Sequence, residues 1–311
     1  MKLAFVYAGQ GSQKVGMGRD FYEKYPEFRE VLDHVPVDFD VKQLCFDGPE
    51  EQLAQTRYTQ PCMVAFAIGV TDLLVQAGIQ PAAAAGLSLG EYSALYAAGV
   101  FDRETALQTV ALRGRAMEEA AAGLVCGMTA VLGLEREKLQ QACDQASALG
   151  VVQICNYNCP GQLVIGGEKA AVDRAGELAK ELGAKRCMPL KVSGPFHTRL
   201  MKPAGDVLAA HFQKISFGKM AFPVYFNCKG APMEEGDTIP ALLEKQVQSS
   251  VYWEDTIRAM EKDGIDTIVE IGPGKTLTSF IKKIAPSIQT HHIDTAADLE
   301  QVTAQLKGAA L

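Results

Sequence analysis

The chain has 311 residues, 48% of them apolar, and a formal net charge of -7. That length suits one large domain, or a domain carrying an insertion, with a sizeable core. The acidic balance argues against general nucleic-acid binding and against a polybasic membrane face, and no apolar run reaches the length of a membrane span.

In chain order, Lys2–Ala8 predicts a buried strand. It is too short for a signal h-region and runs straight into a polar glycine loop, so the chain is expected to be cytoplasmic. The loop is Gly9-Gln10-Gly11-Ser12-Gln13. A dinucleotide fingerprint would need a third glycine where Lys14 stands. A loop at the C-terminal end of a parallel strand faces the usual active-site crevice, where Gln10 or the backbone could donate to an oxyanion. A plain turn accounts for it equally well.

Gly18–Leu32 and Met63–Ala77 have helical patterns, and Pro81–Ala85 predicts a short buried strand. That strand leads into Gly86-Leu87-Ser88-Leu89-Gly90-Glu91-Tyr92-Ser93-Ala94-Leu95. The Gly-x-Ser-x-Gly form places a serine on a sharp strand-to-helix turn, its hydroxyl near exposed N–H groups that favour developing negative charge. Leu89, Tyr92, Tyr96 and Gly99 recur at helical spacing downstream. A solvated serine in a glycine-rich turn is the alternative.

Asp102 offers an N-cap for a helix over Arg103–Ala122. Ala106, Val110, Arg113 and Met117 share one face of it, which turns Arg113 inward, whereas Arg115 faces outward beside Glu118 and Glu119. An inward guanidinium needs an anionic partner, either an internal carboxylate or the carboxylate of a substrate.

The middle of the chain predicts strand Met128–Leu134, helix Arg136–Ala148, strands Val151–Asn156 and Gln162–Gly166, helix Lys169–Leu182 and strand Lys185–Leu190. This β-α-β-β-α-β order is ferredoxin-like. It predicts a small subdomain over 125–193, inserted into a larger domain formed by 1–124 and 194–311. Near the end, Thr267–Ile271 predicts a strand and Lys275–Ile284 a helix. The alternation of strands and helices argues for an α/β fold with a mostly parallel sheet. Gly272-Pro273-Gly274-Lys275-Thr276 imitates a phosphate loop, but Val269 stands where its leading glycine belongs.

An acyl-transferring serine needs a base, and there are five histidines. His34 lies among charged and loop residues, His211 sits on a helix beside Leu208 and Phe212, and His291 and His292 precede the last helical segment. His197 follows the irregular turn Val192-Ser193-Gly194-Pro195-Phe196, a setting that suits a catalytic group and equally a helix start. No Asp stands out as a third triad member, so a backbone carbonyl or an amide side chain could orient the imidazole. Among the cysteines, Cys62, Cys126, Cys155, Cys187 and Cys228 read as small core residues, and the spacing of Cys155 and Cys159 does not fit a zinc site.

Six separated segments together resemble the malonyl-CoA:acyl carrier protein transacylases of bacterial type II fatty acid synthesis. They are Gly9–Gln13, Gly86–Leu95, Leu112–Met117, Asn156–Gln162, Ser193–Met201 and Glu270–Leu277. The resemblance implies an α/β-hydrolase-like core with a ferredoxin-like insertion. It implies Ser88 as the acylated nucleophile and His197 as general base and acid. Gln10 and the N–H of Leu89 would form the oxyanion hole, and Arg113 would grip the malonyl carboxylate. Gln246 would orient the histidine through its main-chain carbonyl, and Met117, Asn158 and Phe196 would contact substrate. In related polyketide acyltransferases a phenylalanine at the position of Phe196 goes with malonyl and a smaller serine with methylmalonyl. Leu87 departs from the family, most of which carry histidine there. The implied partners are malonyl-CoA, CoA and acyl carrier protein, with no metal or redox cofactor. Lys185, Arg186, Lys191, Arg199 and Lys202 cluster around the His197 turn as a candidate docking surface for an acidic carrier. A polyketide acyltransferase acting in trans fits the same segments. A serine thioesterase or lipase would lack the acidic triad member and leave Arg113 unused.

Overall fold

The structure, a computed structural model, describes residues 1–309. The chain divides into two compact units: Met1–Gly114, Ile215–Tyr225 and Arg258 onward form the first, and Arg115–Lys214 with Phe226–Ile257 the second. The architecture is α/β, with a mostly parallel sheet and a separate antiparallel one.

In the first unit the strands lie in the order Gln289–Ile293, Thr267–Ile271, Leu3–Tyr7, Ala83–Gly86, and then Val224 and Tyr225 against Ala84 and Ala85. Every one of these pairings is parallel. Leu3–Tyr7, Thr267–Ile271 and Ala83–Gly86 are buried along their whole length, as befits strands covered on both faces.

Two helices here differ from expectation. The segment Gly18–Leu32 forms two helices, Arg19–Lys24 and Pro26–Asp33, because Tyr25 precedes a proline and is extended (φ -115°, ψ 112°). Pro26 then opens the second helix, where its missing N–H costs nothing. The helix expected from Met63 begins at Thr56 and runs to Gln76, with Pro61 inside it. Most of its residues are buried, which offsets the backbone bond that the proline removes. By length and composition this helix could cross a membrane, contrary to the sequence expectation, but 83% of its most apolar window is buried in protein.

In the second unit the antiparallel sheet has the order Val152–Cys159, Gln162–Glu168, Cys126–Leu132, Arg186–Pro189. Helices Arg136–Ala146 and Lys169–Glu181 supply Leu139, Ala142, Val172 and Leu178 to a core that includes Val131, Ile154 and Ile165 from the strands. The chain order is the expected β-α-β-β-α-β. Val152–Cys159 runs three residues past the expected end, with register shifts between Ile154 and Asn156 and between Tyr157 and Cys159. Cys126 and Cys187 are half-buried, at a strand end and on the sheet edge, whereas Cys62, Cys155 and Cys228 are core residues. Helices Lys202–Phe212 and Ile239–Val247 complete the parts of this unit that matter for the site.

Candidate active site

In the first unit, Ser88 sits between the end of strand Ala83–Gly86 and helix Gly90–Ala97 with φ of 53°. That is left-handed backbone, which an L-residue adopts only at a cost. The flanking glycines are required by close approach. A Cβ on Gly86 would lie 1.9 Å from the Gly90 carbonyl carbon, and one on Gly90 would lie 2.2 Å from the Tyr7 carbonyl oxygen. Leu87 N–H donates to Tyr7 O at 3.0 Å, which pins the turn to the central strand. The N–H of Leu89 belongs to the first turn of a helix, where amides lack an internal acceptor.

The first glycine loop is packed against this turn. A Cβ on Gly9 would lie 2.5 Å from Leu87 O. Next to it, Gln10 donates through Nε2 to Thr56 Oγ1 at 2.9 Å. Thr56 is fully buried and opens its helix. A primary amide carries two N–H donors, so the bond to Thr56 orients Gln10 and leaves the second hydrogen for another acceptor.

Arg113 is on the buried face of helix Arg103–Ala121, as its spacing with Ala106, Val110 and Met117 predicted, and Arg115 is exposed. The Arg113 side chain has no solvent exposure. Its Nη2 donates to Ser88 Oγ at 3.2 Å, and its Cζ stands 5.2 Å from the centre of the Tyr92 ring. Burial pulls the guanidinium below its ordinary pKa, while Tyr92 and Glu91 act the other way. Burial also pushes the Tyr92 hydroxyl up to about 12, so it stays neutral. A Cβ on Gly114 would meet Thr56 O and Arg57 Cα at 2.9 Å. The helix carrying Arg113 therefore lies directly on the backbone that positions Gln10.

In the second unit, His197 is 4% exposed and has φ of 60°. Ser88 and His197 are the only non-glycine residues with positive φ among the described residues. His197 Nδ1 lies 2.9 Å from Gln246 O. A carbonyl only accepts, so Nδ1 carries a proton, and in a neutral ring the nitrogen without one is then Nε2. Gln246 is fully buried near the end of helix Ile239–Val247, which Thr238 caps.

The histidine turn is fastened from the neighbouring strand. Gln153 donates through Nε2 to His197 O at 3.4 Å and accepts from Arg199 N through Oε1 at 3.1 Å. Thr198 Oγ1 donates to Pro195 O at 2.6 Å. Phe196 is buried, and a Cβ on Gly194 would come within 2.9 Å of its ring, so only glycine leaves the ring its place. Asn158 is buried in strand Val152–Cys159, and its Oδ1 has no hydrogen-bond partner among the described residues.

Residues 4–303 match the family model described as acyl transferase domain. A malonyl CoA-acyl carrier protein transacylase of Bacillus subtilis is 40% identical over 309 residues, covering 98% of each chain. The crystal structure of a protein of the same name from Clostridium perfringens superposes with a TM-score of 0.95 at 38% identity, over 100% of this chain and 98% of that one. A malonyl-transacylase solved in complex with a type II polyketide synthase acyl-carrier protein gives 0.95 at 37% identity, over 98% and 100%.

The chain belongs to the malonyl CoA-acyl carrier protein transacylase family of acyl transferases.

Within this transacylase the first unit brings together Ser88, Arg113 and the Gln10 loop, and the second brings together His197 and Gln246. The contacts of Gln153 with the histidine turn, of Thr56 with Gln10 and of Tyr92 with Arg113 were not expected. Tyr92 had a signal, since it lies one helical turn after Ser88. Gln153 and Thr56 had none, because their roles depend on which distant segments pack beside them.

Proposed function

We propose that the protein transfers the malonyl group of malonyl-CoA to the phosphopantetheine thiol of acyl carrier protein, by way of a malonyl ester on Ser88. The observation that carries this reading is the buried guanidinium of Arg113 donating to Ser88 Oγ. A cation beside a nucleophile suits an acyl group that ends in a carboxylate, which Arg grips with two parallel bonds.

In the proposed reaction His197 Nε2 takes the Ser88 proton as Oγ attacks the thioester carbonyl. The tetrahedral oxyanion is held by Leu89 N–H and Gln10 Nε2, each such donor lowering the barrier by about 3 kcal/mol. Collapse expels CoA sulfur, which takes the proton from His197. The carrier thiol then loses its proton to His197 and attacks the ester, and Ser88 recovers its proton as the product leaves. The Nδ1 bond to the Gln246 carbonyl supports this role by fixing the proton of a neutral ring on Nδ1, so that Nε2 is the nitrogen that accepts one. Phe196, Met117 and Asn158 are proposed to shape the acyl site, Phe196 by crowding a substituent on the malonyl α-carbon. These steps use no metal or redox cofactor.

We further take segments 1–124 and 194–311 as an α/β-hydrolase-like domain and 125–193 as a ferredoxin-like subdomain inserted into it. The strand order and antiparallel pairing of the second sheet support the latter. The malonyl-carrier product supplies fatty acid synthesis; a polyketide pathway is the second reading, resting on the relative solved with a polyketide carrier.

The test is intact mass spectrometry after incubation with malonyl-CoA. The expected result is a malonyl adduct that disappears in Ser88→Ala and forms far more slowly in His197→Ala. Turnover of the thioester to free malonate without an adduct, or an adduct that persists in Ser88→Ala, overturns the proposal.

A further inference from the structure

Tyr92 lies one helical turn after Ser88, in helix Gly90–Ala97, and is fully buried. Its ring meets a cation and another ring. Arg113 Cζ stands 5.2 Å from its centre, and the ring of Phe101 runs parallel to it, 6.3 Å away with 6° between the planes. Phe101 in turn meets Phe217, with 5.4 Å between ring centres. The backbone fastens these neighbours together: Gly218 N–H donates to Val100 O at 2.8 Å, and Ala221 N–H to Ala98 O at 2.9 Å. A series of three rings therefore leads through the first unit to the guanidinium, which donates to Ser88 Oγ.

The Tyr92 hydroxyl takes no part in proton transfer. Burial pushes it up to about 12, so it neither gives nor takes a proton near neutral pH. What the residue offers is a ring face. A guanidinium taken out of water must be compensated, and a carboxylate does so by occupying its N–H donors and cancelling its charge. A ring face acts differently. Its quadrupole attracts the cation from above, while the N–H groups, which lie in the guanidinium plane, stay available to acceptors at the edge. The neutral ring also adds no counter-charge to compete with the carboxylate of a substrate.

We propose that Tyr92 is a positioning residue for Arg113: its ring holds the guanidinium beside Ser88 with edge donors available to the carboxylate of the acyl group. This rests on the malonyl transfer proposed above. The turn that presents Ser88 runs straight into the helix that carries Tyr92, so nucleophile and ring belong to one element. The spacing between the reacting oxygen and the cation is thereby set within a single helix start. A short acyl group with a carboxylate at its far end has little slack, and a small displacement of a clamp is costly in rate. Packing alone is the competing account. Phe101 packs on the ring whatever Arg113 does, and a purely structural Tyr92 would matter equally for every acyl group.

The experiment measures single-turnover loading of Ser88 from malonyl-CoA and from acetyl-CoA in Tyr92→Phe, Tyr92→Leu, Arg113→Ala and the double variant Tyr92→Leu, Arg113→Ala. Tyr92→Leu should slow malonyl loading about tenfold or more and acetyl loading about twofold at most. Tyr92→Phe keeps the face, drops the hydroxyl and should retain about half or more of malonyl loading. The double variant should load malonyl as slowly as Arg113→Ala alone, since the ring then has no cation to hold. Equal losses for the two thioesters in Tyr92→Leu overturn the positioning role in favour of packing and leave the transacylase function standing. A loss in Tyr92→Phe as large as in Tyr92→Leu overturns it in favour of the hydroxyl. A further loss in the double variant overturns it as well, because Tyr92 would then act apart from Arg113. Should Tyr92→Leu not fold, Tyr92→Met fills the site with a more adaptable chain and carries the same comparison. Absence of any malonyl adduct in the unsubstituted protein removes the transacylase reading itself, and the positioning role with it.

Discussion

Arg113 Nη2 is 3.2 Å from Ser88 Oγ, and the guanidinium is stacked over the Tyr92 ring. A cation that donates to the nucleophile's oxygen leaves the hydroxyl proton free to go elsewhere. In the proposed reaction it also offers positive charge to the far end of an acyl group carried on Ser88. The helix that carries Arg113 is held by packing at Gly114, so the charge is fixed in place before substrate arrives.

Arg113 is therefore expected to select for acyl groups ending in a carboxylate. Arg113→Ala should slow malonyl loading about a hundredfold, the equivalent of about 3 kcal/mol for a buried charged contact, and should spare acetyl loading. Arg113→Lys should recover only part of the loss, since an ammonium cannot make two parallel bonds to a carboxylate. Single-turnover loading with the two thioesters measures this, and equal losses for both would refute a carboxylate clamp.

The left-handed backbone at Ser88 carries a cost that glycine would relieve. Ser88→Gly and Ser88→Ala should both abolish the acyl adduct. Ser88→Gly should nevertheless be the more stable of the two by about 0.5–1 kcal/mol. Urea unfolding midpoints measure the difference, and a lower midpoint for Ser88→Gly would contradict it.

Gly90 has no such freedom. A Cβ there meets Tyr7 O at 2.2 Å, so Gly90→Ala must displace either the central strand or the serine helix. A loss of at least about 3 kcal/mol is expected by urea unfolding, and a loss under 1 kcal/mol would show that the turn is more tolerant than its geometry implies.

Gln153 spans the histidine turn with two bonds. Gln153→Ala should lower kcat for malonyl transfer about five- to tenfold, in line with about 1 kcal/mol for a hydrogen bond, with KM for malonyl-CoA unchanged. Gln153→Glu keeps the acceptor for Arg199 N and should recover part of kcat. A change in KM alone would place Gln153 in substrate binding.

Glu270 makes stability depend on pH. Its carboxylate accepts from Leu277 N at 2.9 Å and Thr278 N at 2.7 Å, capping helix Thr276–Ile284. Burial pushes its pKa above the ordinary carboxylate value, against the pull of those bonds. The folded chain then holds this proton more tightly than the unfolded chain. Stability from this group is greatest below the ordinary carboxylate pKa and falls as pH rises through the raised value. Unfolding midpoints across that window should slope downward with pH, and Glu270→Gln should flatten the slope. A slope unchanged by the substitution would locate the titrating group elsewhere.

Much of this was legible in the sequence. Thr267–Ile271 was bounded to the residue, because an apolar run between turn residues has few alternatives. The inward face of Arg113 followed from helical spacing alone. The break at Tyr25 was also written in the chain, as the proline after it, but the apolar spacing across Gly18–Leu32 masked it. The strand at Gln289–Ile293 was not legible, since Gln, Thr and two His suggest no buried strand and only pairing with Thr267–Ile271 makes one. The same holds for Gln153 and Thr56, whose contacts lie 44 and 46 residues away in sequence.

The partner of His197 Nδ1 is a peptide oxygen. Every amino acid that could occupy position 246 brings that same oxygen, so no single codon change deletes it, whereas an aspartate in its place could be lost in one step. Part of the histidine's support thus comes from the backbone, which does not mutate, and not from a side chain, which does. Drift at this position is limited by how the helix packs and leaves the identity of the acceptor untouched.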